Sequence, residues 1–230
     1  MLNEIVLIAF FIIILLYSVI IHEVSHGMAA LWLGDTTAKY AGRLNLNPLK
    51  HLDIWGSFIV PVMMFLTVGF AFGWAKPVPY NPYNLRNQKW GPALVALAGP
   101  ISNIVLALAA SVLAGLVFIP LSIKKEIVFN ALSPSGAAPL IAGSAGSIIF
   151  ELLVVIVIIN VVLAFFNLIP IPPLDGSKVL FSVFNLRTET MLMLEQFGFF
   201  FLLIFILFFS APLGVFLNSV LNVFLSAAVR

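Results

Sequence analysis

The sequence contains no cysteine, so it has neither disulfides nor thiolate metal ligands, and any metal must be held by His, Asp or Glu. Charge is scarce as well. Only 9% of residues are Asp, Glu, Lys or Arg, and the net charge of +2 is spread over loops with no basic block, which excludes a nucleic-acid footprint. No repeat, low-complexity linker or long polar stretch is present, so an appended soluble domain finds no room among connections such as 34–53, 73–91 and 121–145. The chain opens Met1-Leu2-Asn3-Glu4 with no basic residue and runs to His22 without a small-residue cleavage site, so the expectation is that this segment is retained rather than removed as a signal.

What the chain has in abundance is apolar sequence: 62% hydrophobic residues and a mean hydropathy of +1.17. A water-soluble surface cannot be built from that composition. A bilayer-spanning helix needs about 20 consecutive apolar residues, and six hydrophobic segments are read at 5–33, 54–72, 92–120, 146–169, 191–209 and 211–229. The expected fold is therefore all-α, a polytopic membrane bundle in one unit over 1–230, with a core at 5–185 and C-terminal helices at 191–229. The last two segments, divided only by Ser210-Ala211-Pro212, make either a tight hairpin or one kinked span. Lys and Arg fall almost evenly on alternate sides and do not set an orientation.

Two connections are unlike ordinary loops. Residues 39–47 partly alternate apolar and polar side chains before Pro48, which predicts a short β-like or re-entrant element after the first span, with an edge near Tyr40 to Leu46 able to receive another strand. Residues 169–176 are locked by Pro170, Pro172 and Pro173 and are expected to be extended. Irregular backbone at membrane depth must be buried in protein or line a wet cavity. Trp74, Tyr80, Tyr83 and Trp90 flank lysines and suit an interfacial aromatic belt.

The chemistry centres on His22-Glu23-Val24-Ser25-His26, an HExxH pattern within the first apolar segment. Residues four apart on a helix share a face, so both imidazoles can reach one ion, while Glu23 is placed to take a proton from an attacking water. Two of the three histidines lie in this pattern, and ionisable groups in a membrane helix cost at least about 2.5 kcal/mol, so chance is a poor account of it. A hydrolytic zinc site needs a third protein ligand. Glu151, Asp175 and Glu195 are the acids near membrane depth, and Asp175 is favoured because it follows an irregular segment and precedes a glycine that permits a sharp turn. Glu151 is instead assigned to the positive end of a helix dipole, Glu195 to an interface, and His51 to an ordinary loop role.

Taken together, His22 to His26, Gly99-Pro100-Ile101-Ser102-Asn103, and the run from Asn167 through Pro170, Pro172 and Pro173 to Asp175-Gly176 resemble the site-2 protease family of intramembrane zinc metalloproteases over about residues 15–180. Loops 47–53 and 73–79 resemble a compact prokaryotic branch of it, without the PDZ or nucleotide-binding domains of other relatives. The resemblance implies one Zn²⁺ per chain, ligands His22, His26 and Asp175, Glu23 as general base, and Asn167 and Asn103 orienting substrate or the oxyanion. On residue chemistry alone either Asn is interhelical hydrogen-bonding glue. The expected function is hydrolysis of peptide bonds in membrane-spanning or membrane-adjacent segments, in a prokaryotic cell membrane, with a membrane protein or peptide as substrate. The competing readings are an ion or proton transporter using intramembrane His, Glu and Asp, and an inactive metal-binding scaffold.

Overall fold

The computed structural model describes residues 2–68, 75–132 and 144–229, and these form nine α-helices with no strand among them. In chain order they are α1 (Leu2–Trp32), α2 (Thr37–Tyr40), α3 (Val60–Val68), α4 (Gly91–Gly115), α5 (Leu121–Leu132), α6 (Ala145–Asn167), α7 (Asp175–Val183), α8 (Thr188–Gln196) and α9 (Gly198–Ala228). Among the described residues, four helices are long and apolar enough to cross a membrane: Ile8–Trp32 of α1, then α4, α6 and α9. The expected segment at 54–72 is shorter over its described residues, a π-helical turn at Trp55–Ile59 running into α3. The two expected C-terminal segments resolve differently. Residues 188–196 form the separate helix α8, and one continuous helix, α9, runs through Pro212.

Helix α4 is the hub, packing against α1, α6, α7 and α9. Its inward stripe is small: Ala107, Ala110 and Ala114 are buried, at helical spacing, while Val105, Leu108 and Val112 are about half exposed or more. In lipid the apolar phase surrounds the helix on every side, so close backbone approach through small residues, rather than hydrophobicity, decides which face turns inward. The alanines meet Phe150, Val154, Val157 and Val161 of α6 and Leu221, Leu225 and Ala228 of α9.

The expected β-like element at 39–47 is absent. Gly34, at φ +109°, ends α1 with Asp35 N–H on Ala30 C=O and Gly34 N–H on Leu31 C=O, and Gly42, at φ +64°, ends α2 with the same pair of bonds to Ala38 and Lys39. Gly42 is thus a helix terminator. The asparagines that imitated strand alternation turn the chain instead: Asn45 Oδ1 accepts Asn47 N–H, and Asn47 Oδ1 accepts Leu49 N–H. No strand edge exists here to receive a substrate.

Buried side chains tie this connection to the one beyond α3. Asp35, with no exposed surface, accepts from Thr37 N–H and hydroxyl, Asn81 N–H at 2.7 Å and the Asn84 amide. Burial alone pushes its carboxyl up, but the bonds from Thr37, Asn84 and Asn81 outweigh this and hold it below the ordinary value. Arg43 donates to Lys76 C=O at 2.6 Å, and Lys76 N–H donates to His51 C=O. His51 is fully buried and bonds Asn45 C=O through Nε2, a loop role as expected. Of the anticipated aromatic belt, Tyr83 and Trp90 are exposed, Tyr80 is half-buried beneath the Lys178 ammonium, and Trp74 lies outside the described residues.

Candidate metal centre

Helix α1 places His22 and His26 one turn apart, with ring centroids 4.6 Å from each other and planes nearly perpendicular. The third group arrives from far along the chain. After α6 ends at Asn167, residues 168–174 fold into turns around a cis Pro172–Pro173 bond, not the extended run expected, and α7 begins at Asp175. Gly176 has no positive φ and makes no sharp turn. A Cβ there would collide with the backbone of Leu168 and Ile169, so glycine is required because α7 starts hard against the chain leaving α6. Gly198 likewise lets α9 approach this turn, where a Cβ would stand 2.8 Å from the Pro172–Pro173 backbone.

The result is a triangle of three atoms: His22 Nε2 to His26 Nε2 is 3.0 Å, and Asp175 Oδ2 lies 3.1 Å from the first and 3.2 Å from the second. Ligands about 2.0–2.1 Å from a tetrahedral ion are spaced about 3.3 Å apart, so this triangle has nearly the edge lengths of one face of such a site. Both imidazole Nδ1 atoms are committed elsewhere, His26 to Val95 C=O at 2.7 Å and His22 to Asn103 Oδ1 at 2.6 Å. A carbonyl oxygen only accepts, so each Nδ1 carries the hydrogen and each Nε2 turns a lone pair inward. Asp175 Oδ2, buried and without a hydrogen-bond partner, faces the same point. Three acceptors crowded together with no donor repel one another, and a cation between them removes the conflict. Nitrogen and oxygen donors of this kind suit Zn²⁺.

Other groups complete the surroundings. Glu23 is half-buried and its Oε2 accepts Val78 N–H at 2.8 Å, so the segment that Arg43 and His51 hold in place fixes the carboxylate. Lys178 Nζ stands 3.9 Å from Asp175 Oδ1, leaving Oδ2 to the imidazoles. Gly99 of α4 lies directly against the two rings. Asn103 is fully buried with its amide engaged on both sides, and Asn167 turns its amide back onto Leu163 C=O within α6. Glu151 lies in the second turn of α6, beyond the reach of the helix terminus, buried and away from the triangle. Among the described residues, His22, His26 and Asp175 are the one group of His and acidic side chains close enough to hold an ion.

With this geometry in view, residues 10–209 match the family model described as peptidase family M50. The chain belongs to that family. It is 33% identical over 210 residues, 90% of this chain and 83% of the relative, to "Putative zinc metalloprotease YwhC" of Bacillus subtilis. It is also 27% identical to "Putative zinc metalloprotease Rip2" of Mycolicibacterium smegmatis over 80% of this chain and 61% of that protein. The Rip2 protein of Mycobacterium tuberculosis is 28% identical over 84% of this chain and 64% of its own length. The chain thus spans less than two thirds of either Rip2 protein. No solved structure matches it. As an M50 peptidase the protein is an integral membrane zinc metalloprotease of prokaryotic type, and the transporter reading finds no support.

Proposed function

We propose that His22, His26 and Asp175 hold a single Zn²⁺ and that Glu23 is the general base of an endopeptidase acting on membrane-spanning or membrane-adjacent segments. The observation that carries this reading is the triangle of inward-facing acceptors, 3.0–3.2 Å on a side, with an acid at the next position of the same helix. When bound, zinc lowers the pKa of a water to about 7 and polarises the scissile carbonyl. Glu23, steadied by Val78 N–H, takes the proton from the attacking water and returns it to the leaving amine. Water is consumed and two chain ends are released.

A substrate helix shields its carbonyls in internal hydrogen bonds and has to unwind locally before Glu23 can deliver the attack. With no strand edge at 39–47, the irregular residues 75–81, next to Glu23, border the approach by which an unwound segment reaches the site, their own backbone groups being largely committed to His51, Arg43, Glu23 and Asp35. Asn167, at the end of α6, belongs to the substrate side, while Asn103 is enclosed in the bundle. The whole chain acts as one unit, since α9 packs on both α4 and α6. The test is cleavage of a single-span substrate by purified protein in detergent, with and without chelator, alongside zinc stoichiometry. The reading is lost if zinc-depleted protein cleaves normally, or if Asp175→Asn binds zinc as tightly as the native chain.

A further inference from the structure

Beneath His22, on the side away from Asp175, lies a polar network that the proposed reaction does not use directly. Ser18 of α1, Asn103 of α4 and Asn160 of α6 are all buried, the two asparagines with no exposed surface at all. Asn160 Nδ2 donates to Ile156 C=O and to the Ser18 hydroxyl, each at 2.9 Å. Asn103 Nδ2 donates to Asn160 Oδ1 at 2.8 Å and to Ser18 C=O at 3.3 Å, and Asn103 Oδ1 meets His22 Nδ1 at 2.6 Å.

The order of these bonds is forced from one end. Ile156 C=O can only accept, so the amide nitrogen of Asn160 must face it and its oxygen must face Asn103. Asn103 then presents nitrogen to Asn160 and to Ser18 C=O, because the opposite orientation would set its oxygen against two other oxygens. Its own oxygen is left for His22, whose Nδ1 must carry the hydrogen. The lone pair at His22 Nε2 is therefore fixed by a chain of donors that begins at a main-chain carbonyl in a different helix.

We propose that Asn160, acting through Asn103, is a positioning residue that locks His22 in the Nδ1–H tautomer and so prepares Nε2 to bind the metal. The inference rests on the metal reading above but is separable from it, because the tautomer is defined without metal. Partners of this kind behind a metal-bound histidine are worth about 10–100-fold in metal affinity.

The experiment uses full-length protein in detergent carrying ¹⁵N-histidine, the His22 signals being assigned by their loss in a His22 variant. In zinc-free native protein at a pH high enough for the neutral imidazole to be the observed form, His22 should show one protonated nitrogen, Nδ1, and one unprotonated, Nε2. Asn160→Leu, close in volume, should mix the tautomers and weaken zinc binding about 10–100-fold in chelator competition. Asn160→Asp keeps an acceptor towards Asn103 and, as the carboxylic acid, a donor towards Ile156, and should restore the native tautomer and an affinity within a few-fold of native. In an Asn103→Leu background, Asn160→Leu should cause no further loss. A native tautomer and native zinc affinity in Asn160→Leu would overturn the proposal, as would an equal loss in both Asn103 backgrounds. If Asn160→Leu does not fold, the Asn160→Asp spectrum decides, a Nε2–H tautomer there overturning it. Native protein with the expected tautomer but no zinc binding would sink the metal reading and leave this one standing.

Discussion

Replacing Gly99 with alanine adds one methyl group where the two imidazoles touch α4. The new Cβ would lie 2.5 Å from Cε1 and Nε2 of His26 and 2.6 Å from Cε1 of His22, about 1 Å inside ordinary van der Waals contact. Neither ring has room to withdraw, since His22 is held by Asn103 at 2.6 Å and His26 by Val95 C=O at 2.7 Å. Either α4 moves off α1 or the rings turn away from Asp175. Overpacking of this sort costs about 1–3 kcal/mol in stability, and a shift of about 1 Å in reacting geometry costs about 100-fold in rate. Gly214→Ala is the control, because a Cβ there meets nothing within 4 Å. Zinc affinity by chelator competition, thermal unfolding and cleavage of a single-span substrate would be compared across native protein and both variants. Gly99→Ala should lose zinc affinity and about two orders of magnitude in turnover, with Gly214→Ala unaffected in both. Native zinc binding and turnover in Gly99→Ala would show that α4 does not press on the imidazoles and would refute the reasoning.

Glu23→Gln should keep its zinc, measured by metal analysis, while cleavage falls about 100–10,000-fold, whereas an inactive scaffold would be indifferent to the change. Arg43→Met leaves Lys76 and Pro77 without their buried donor and should cost about 1–3 kcal/mol in thermal unfolding, with slower cleavage and unchanged zinc content because Val78 then holds Glu23 less firmly. Because the Asp35 carboxyl is held below its ordinary value of 3.8, its stabilising contribution is full above that value and is lost as pH falls through the lower folded one. Asp35→Asn should therefore be less stable than native protein at pH 7 by about 1–3 kcal/mol, and the gap between the two melting curves should close below about pH 3.8. Zinc at about 1,000 times its dissociation constant should stabilise the native protein by about 4 kcal/mol, an effect that Asp175→Asn should abolish in the same melts.

The features legible in the sequence are those set by local spacing. Two histidines four apart in an apolar run define a shared helical face whatever surrounds them, and the acid after the proline-rich turn was identified from the irregularity of the backbone before it. The misread features depend on which elements meet. Asn45 and Asn47 have the alternation of a strand, but their side chains bond their own backbone and Gly42 terminates a helix, so the pattern belonged to turns. Gly176 was valued for conformational freedom, while its use is to let α7 lie against Leu168 and Ile169, a contact no local pattern announces. At Pro212 local pattern leaves a hairpin and one kinked span equally open, and only the packing of α9, which continues through it, decides for the single helix. Asn103 is given a part in orienting substrate or the oxyanion by the resemblance and is interhelical glue on residue chemistry alone; its amide does bond α1 and α6, while nothing in its own helix shows that His22 crosses beside it.

The distribution of satisfied and unsatisfied polar groups says where chemistry takes place. On the inner side of His22 every bond from Ile156 through Asn160 and Asn103 has both a donor and an acceptor, as buried polar groups in an apolar bundle require. On the outer side, 3.0–3.2 Å apart, stand three acceptors with no donor among them, one of them a buried carboxylate oxygen. A fold that satisfies one face of a ring and leaves the other in conflict has a specific demand at that face, and only a positive charge meets it. A proton would relieve one pair of the three; a divalent ion relieves all of them at once and can still accept a water as its fourth partner.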